Sequence, residues 1–283
     1  MWKADPLFLG CAIGVFIASG VLGSLQWRIL LKFHGIRDGF LDTVSRYFMG
    51  LFFNYILPGF VGGDVIRVYK TAKASGKATQ SFSSTLADRV IGLLVLVCFS
   101  LGAYVVIPRG IADDALPVAV FMFLMLSGFL ALFAFKTLGS IVNRMFGRFI
   151  PQGVGKKITA VYIEMHRLTR SPSTLVRVFI FSCMIQVTRI GVHFLCGRAV
   201  GIELGFAYFA LFVPLIEIVV ASLPISFGGV GVRETMAFVL FSTAGINEAT
   251  VISYTLLATA AGFTGSLPGF LAFLLDIRER RLP

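Results

Sequence analysis

Long apolar runs, separated by shorter polar segments, dominate this chain. Five of them approach the ~20 residues that a helix needs to cross a bilayer, and they lie at residues 7–25, 90–107, 116–135, 178–196 and 249–275. The pattern predicts an all-α integral membrane protein with about five transmembrane helices.

Two further segments, residues 40–76 and 206–245, are apolar in two short arms on either side of a break. The breaks read LPGFVGGDVIR at 57–67 and LPISFGGVGVR at 223–233. Proline removes a backbone donor and glycine frees the dihedral angles, so we expect both helices to be interrupted there. Because each arm is shorter than a typical span, the pattern predicts two re-entrant helical hairpins, each entering and leaving the bilayer on one face.

The two breaks are also the centres of a repeat. Aligning them brings the helix predicted at 7–31 onto that at 173–197, and the helix at 79–106 onto that at 247–275. A single extra helix between the halves turns the second half upside down. Inverted-topology repeats are typical of transporters, which place broken helices where the halves meet and alternate access by rocking one half against the other.

The chain is therefore predicted to be one polytopic membrane domain, residues 1–283. Its parts are a first repeat at about 7–106, a linking helix at 116–135, an amphipathic helix at 156–170 and a second repeat at about 173–275. The amphipathic helix carries its basic side chains away from its apolar face, which is typical of a helix on the inner leaflet. A cytoplasmic loop helix packed on the protein is the alternative.

Charge and composition agree with a membrane location. Apolar residues make up 57% of the chain and charged residues 14%, and the net charge is +11. Basic residues flank the first break on both sides and mark the cytoplasmic face, so no nucleic acid partner is needed to explain them. We expect a multi-pass protein of the cell membrane with its amino terminus outside and its carboxyl terminus in the cytoplasm. The four cysteines lie in apolar runs without metal-ligand spacing, so neither a metal site nor a cofactor is expected.

Ionisable side chains at membrane depth are costly and are functional candidates by default. The candidates for substrate binding within the apolar segments are Asp64, Arg67, Asp88, Arg89, Arg189, Glu217, Arg233 and Glu234.

Arg67 and Arg233 each follow a glycine pair by about one helical turn, at the start of the second arm of a hairpin. Two such helix ends facing each other would form a site for an anion. The glycines of the two pairs would let the backbone approach the ligand, and they are Gly62, Gly63, Gly228 and Gly229. Internal ion pairs that involve Asp64, Glu217 or Glu234 are the alternative explanation of both arginines.

A polar stripe runs along the apolar segment at 178–198. Ser182, Gln186, Arg189 and His193 recur at helical spacing and must therefore face protein or water. The stripe is either a wall of a substrate path or a buried network that satisfies Glu217.

With these residues identified, the chain resembles the lysylphosphatidylglycerol synthase transmembrane family, the flippase-type membrane domain of multiple peptide resistance factors. The matching motifs lie at 26–31, 53–59, 62–67, 87–93 and 223–234. The resemblance implies handling or translocation of lipids with charged head groups, such as aminoacylated phosphatidylglycerol or polyprenyl-phosphate-linked sugars. The soluble aminoacyl-transferase domain of those factors is absent, so we expect no enzymatic activity.

The leading hypothesis is a flippase or scramblase for a lipid with an anionic or aminoacylated head group, with membrane lipids as its partners. A secondary transporter of a small soluble anion or osmolyte and a non-transporting membrane scaffold are the alternatives. A homo-oligomer is left open.

Overall fold

A computed structural model describes residues 4–57, 62–108, 110, 113, 115–135, 152–222 and 228–279. This part of the chain is helical, and its elements are α1 (Pro6–Phe33), α2 (Phe40–Ile56), α3 (Gly62–Ser75), α4 (Ala78–Val106), α5 (Ala115–Ala134), α6 (Gln152–Thr169), α7 (Pro172–Ala199), α8 (Phe206–Ser222), α9 (Val232–Ser242) and α10 (Glu248–Glu279).

Five of the described helices, α1, α4, α5, α7 and α10, are long and apolar enough to cross a membrane. They coincide with the five apolar runs, so the prediction of an all-α membrane protein with five transmembrane helices is confirmed. Helices α2, α3, α8 and α9 are the four arms of the two broken segments.

Local sequence signals fix several helix ends. Asp5 caps α1 by accepting a hydrogen bond from the Leu7 amide at 2.8 Å, with Pro6 in the first turn. Helix α2 ends at Ile56, and the next residue, Leu57, has an extended backbone because a proline follows it. Pro58 itself and residues 223–227 of the second break lie outside the described residues.

The arms of the first broken segment pack antiparallel. The Gly63 amide donates a hydrogen bond to Asn54 Oδ1 at 2.9 Å, and a Cβ built on Gly63 would lie 1.8 Å from the Gly50 carbonyl oxygen. Farther from the tip, the Arg67 guanidinium lies 5.1 Å from the centre of the Tyr47 ring. The backbones of α2 and α3 therefore touch, and the segment is a hairpin.

The second broken segment folds in the same way. Arg233 of α9 bonds to Glu217 of α8 at 3.1 Å, and farther from the tip the rings of Phe212 and Phe241 lie 5.1 Å apart. The two tips meet, because a Cβ built on Gly228 would lie 3.3 Å from the Tyr55 carbonyl oxygen. Re-entry of each hairpin from one leaflet stays a prediction.

Each hairpin packs on a long helix of the other half. Phe52 of α2 stacks against Phe263 and Phe270 of α10, with ring centroids 6.0 and 5.2 Å apart. In the other half, Ser100 of α4 donates a hydrogen bond to the Leu211 carbonyl of α8 at 2.9 Å. We call this arrangement the exchange of hairpins. The inverted repeat that would relate the two halves stays a prediction.

Helices α1 and α7 run antiparallel through the centre of the bundle. The Asp5 amide bonds to the Ala199 carbonyl at one end, and Ser182 Oγ donates to Gln26 Oε1 at 2.9 Å nearer the other. The first helices of the two repeats therefore form a common seam, which positions the polar stripe of α7 beside α1.

Helix α6 packs on the protein through part of its length. This packing agrees with the alternative of a loop helix packed on the protein. Met165 and Leu168 are each 1% exposed, whereas Ile158 on the predicted apolar face is 52% exposed. Glu164 also binds His34 Nδ1 at 3.0 Å and accepts from Gln80 Nε2 at 3.2 Å. Helix α6 is thus fixed to the ends of α1 and α4, and its placement at a leaflet stays a prediction.

Candidate functional site

A cavity of about 140 Å³ lies where the two hairpin tips, α1, α4 and α7 converge. Its volume has room for several water molecules, and its wall combines apolar and charged side chains. The charged residues in the wall are Asp64, Arg67, Asp88, Arg89, Arg189, Glu217 and Arg233. Seven of the eight ionisable candidates predicted from the sequence therefore face one space.

The first-hairpin network is a set of two arginines and two aspartates. Arg67 Nη2 donates to Asp88 Oδ2 at 2.8 Å, and Arg67 Nε lies 3.0 Å from Asp64 Oδ1 as an ion pair without hydrogen-bond geometry. Arg89 also pairs with Asp64. Helices α3 and α4 are thus joined by an alternation of charges in which each carboxylate has a guanidinium partner.

Aromatic and amide side chains hold this network in place. The Arg67 guanidinium lies 5.0 Å from the Trp27 ring and 5.1 Å from the Tyr47 ring, within the range of cation–π attraction. Gln26 Nε2 donates a hydrogen bond to Asp88 Oδ1 at 2.9 Å. The side-chain oxygen of Gln26 accepts the hydrogen bond from Ser182. Arg67 is only 4% exposed, so its position is fixed from several sides.

The second-hairpin network centres on Arg233 and Glu217. Arg233 Nε donates to Glu217 Oε1 at 3.1 Å, and Arg233 Nη1 donates to Thr259 Oγ1 at 2.9 Å and to the Gly228 carbonyl at 3.2 Å. His193 Nε2 lies 3.7 Å from the same carboxylate oxygen of Glu217. Internal ion pairs, the alternative considered for both arginines, are thus present in both hairpins.

The polar stripe of α7 faces the cavity along its whole length. Ser182, Gln186, Arg189 and His193 all line the wall, and Gln186 Nε2 donates to the Gly92 carbonyl of α4 at 2.9 Å. His193 Nδ1 lies 2.9 Å from the Tyr254 hydroxyl. The stripe contacts both networks and forms part of the cavity wall, and a substrate path along it stays a prediction.

The glycine pairs and Glu234 lie at the edge of this arrangement and are not among the cavity-lining residues described. Gly63 contacts the backbone of α2, and Gly62 lies against Leu57. Gly228 and Gly229 have φ values of 60° and 82°, which favour glycine, and they shape the turn into α9. Glu234 accepts a hydrogen bond from the Gly231 amide at 2.5 Å and so caps its own helix. Substrate binding by these five residues stays a prediction.

Several residues of the site were not singled out by the sequence. Gln26, Tyr47, Asn54 and Tyr55 all line the cavity. A polar side chain inside an apolar run was the available signal for Gln26 and Asn54. Among the described residues, no group of His, Cys, Asp and Glu side chains is arranged to hold a metal ion.

Comparisons with known proteins agree with this architecture. The chain is 24% identical to a UPF0104 membrane protein of Pyrococcus horikoshii, over all of this chain and 90% of that protein. It is 26% identical to a UPF0104 membrane protein of Methanothermobacter thermautotrophicus, over 92% of this chain and 80% of that one. No solved structure matches the chain significantly. The family model described as the lysylphosphatidylglycerol synthase TM region matches residues 1–269, so this multi-pass membrane protein belongs to that family.

Proposed function

We propose that this protein translocates a lipid with an anionic head group across the bilayer, as a flippase or scramblase, and that it is not an enzyme. The observation that carries the proposal is the charged cavity between the two hairpin tips. It lies inside a bundle whose long helices are apolar enough to cross a membrane.

The surroundings of the cavity suit a head group whose tails remain in lipid. Many large apolar side chains on the outside of the bundle are exposed, among them Phe121, Leu124 and Leu271 at 66%, 63% and 60%. Such a surface is compatible with hydrocarbon, whereas a guanidinium group in the cavity wall can supply charge-assisted hydrogen bonds to an anion. Membership in a family named for lysylphosphatidylglycerol synthase agrees with a lipid head group as the ligand.

The distribution of charge at the two ends of the bundle suggests its orientation. Lys77, Lys157 and Arg170 belong to the end that α6 covers, whereas Glu203 and Glu248 belong to the opposite end. Since basic segments remain in the cytoplasm, α6 would lie inside the cell and the amino terminus of α1 outside. The cell membrane is the proposed location.

Filling the cavity tests the proposed function. Gly92 lines the cavity, and a Cβ built there meets only the amide end of Gln186 at 3.4 Å. Gly92→Leu would therefore occupy the space of the head group. Gly102→Leu, on the same helix, is the matched control because a Cβ at that position meets none of the described residues within 4 Å.

The assay uses sealed vesicles that contain the purified protein and fluorescent phosphatidylglycerol, with a membrane-impermeant quencher added outside. The wild type and Gly102→Leu should expose the inner-leaflet label, and Gly92→Leu should not. Equal rates for Gly92→Leu and wild type would refute a path through this cavity. Uptake of labelled inorganic phosphate by the same vesicles, without lipid movement, would instead favour a transporter of a soluble anion.

A further inference from the structure

The charges in the cavity wall do not balance. Among the described residues, four arginines and three carboxylates line it, a formal excess of one positive charge when His193 is neutral. The first-hairpin network contains two arginines and two aspartates, and the second-hairpin network contains one arginine and one glutamate. Each network is neutral, so the excess charge is that of Arg189.

Arg189 differs from the other arginines of the wall in its contacts. Within the described residues, no carboxylate lies at ion-pair distance from its guanidinium. Its charge nevertheless acts on Asp64 of one network and on Glu217 of the other. Arg189 is half-buried and lies in the second half of α7. Arg189 is therefore an unneutralised cation between two neutral networks.

An unpaired guanidinium in surroundings of low dielectric constant is costly, and a hydrogen-bonded anion recovers that cost. The two non-bridging oxygens of a phosphodiester match the fork of a guanidinium. A second negative charge on the ligand would find no free cation, because Arg67, Arg89 and Arg233 already bind carboxylates. A positive group on the ligand would find no free carboxylate, for the same reason.

We propose that Arg189 anchors a phosphodiester and that the cavity selects ligands with one net negative charge. This inference rests on the proposed function for its lipid source, and it narrows the substrate class. Phosphatidylglycerol-type lipids would bind in preference to zwitterionic phosphatidylethanolamine, to cationic aminoacylated lipids and to doubly charged phosphomonoesters. A free phosphodiester has the same recognised group, so the source of the ligand is part of the test.

The test is lipid binding, measured apart from transport. Purified protein is equilibrated with equal amounts of phosphatidylglycerol and phosphatidylethanolamine in detergent, and the bound lipid is counted by native mass spectrometry. We expect the wild type to bind about tenfold more phosphatidylglycerol than phosphatidylethanolamine. A ratio of that size corresponds to the free energy of one charge-assisted hydrogen bond. Arg189→Gln should reduce this ratio to near one, and Arg189→Lys should keep most of it.

Arg198→Gln is the matched control. Arg198 lies on the same helix, is exposed, and contacts Phe194 rather than the cavity. The Arg198→Gln variant should keep the wild-type ratio of bound phosphatidylglycerol to phosphatidylethanolamine. An unselective wild type, or an Arg189→Gln variant that stays selective, would overturn the inference. If Arg189→Gln does not fold, the ratio of the two lipids bound by the wild type still decides whether the cavity is selective.

Two further measurements distinguish a failure of this inference from a failure of the proposed function. Glycerophosphoglycerol, which carries the phosphodiester without acyl chains, should displace bound phosphatidylglycerol only at far higher concentration; equal competition would overturn the lipid source. Vesicles that move phosphatidylglycerol and phosphatidylethanolamine equally through the wild type would refute the charge selectivity and leave the translocase intact. Selective binding that depends on Arg189, without any lipid movement, would refute the translocase and leave this site intact.

Discussion

The contact between Gly50 and Gly63 gives a sharp test of the first hairpin. In Gly63→Ala, the new methyl group would lie 1.8 Å from the Gly50 carbonyl oxygen and 2.8 Å from Asn54 Oδ1. The first neighbour is backbone and cannot rotate away. Helices α2 and α3 would therefore have to separate by about 1.5 Å to restore ordinary van der Waals contact.

The cost has two parts. Overpacking of a tight contact typically costs about 1–3 kcal/mol. Separation of the arms would also lengthen the 2.9 Å hydrogen bond from the Gly63 amide to Asn54, which contributes ~1 kcal/mol. We expect the free energy of unfolding to fall by about 3 kcal/mol, and the melting temperature in detergent to fall by about 6–12 °C.

With Cys11, Cys98 and Cys183 replaced by serine in every variant, a fluorescent maleimide reports the melting, because the remaining Cys196 is buried and reacts only after unfolding. Two glycines provide a graded comparison. A Cβ on Gly50 would lie 3.1 Å from the Gly63 oxygen, and a Cβ on Gly102 would have no neighbour within 4 Å in the described part of the chain. The expected order of melting temperatures is Gly102→Ala above Gly50→Ala above Gly63→Ala. A Gly63→Ala protein that melts like Gly102→Ala would show that the arms are not in contact.

Two other predictions concern the end of the bundle that α6 covers and its opposite. Burial, partly offset by the hydrogen bond to Glu164, lowers the pKa of His34 below its ordinary 6.5. The unfolded chain therefore binds the proton on this histidine more tightly than the folded protein does. The free energy of unfolding should consequently fall as the pH drops through about 6.5. His34→Gln should show a smaller loss of melting temperature between about pH 7.5 and 5.5, and an unchanged loss would contradict this role. In a cysteine-free background, Lys157→Cys should react with an impermeant maleimide only in opened cells and Glu203→Cys in intact cells; the reverse pattern would invert the proposed orientation.

The sequence predicted the architecture better than the site contacts. Apolar run length, proline and glycine are local signals, and they determine where α2 ends and where α9 begins. The link between Arg67 and Asp88 was not predicted, because it joins two helices and depends on how they pack. The pair of Arg67 with Asp64, three residues away on one helix, was visible as a local spacing.

Gly63 shows a second limit of sequence reasoning. The residue type indicates a close approach but not the group that approaches. The sequence suggested a ligand, whereas the described neighbours of Gly63 are the Gly50 carbonyl and the Asn54 side chain. The unneutralised charge of Arg189 was likewise invisible, because it emerges only after every other arginine in the wall has been matched with its carboxylate.

The exchange of hairpins has a consequence for the origin of the fold. Helix α2 rests on α10 and α8 rests on α4, so each predicted repeat covers one arm of the other's broken segment. A half-length ancestor would have lacked that cover as a monomer. On the inverted repeat that the sequence predicts, the same packing would have required a second copy inserted upside down, and a dual-topology dimer would then have preceded gene fusion.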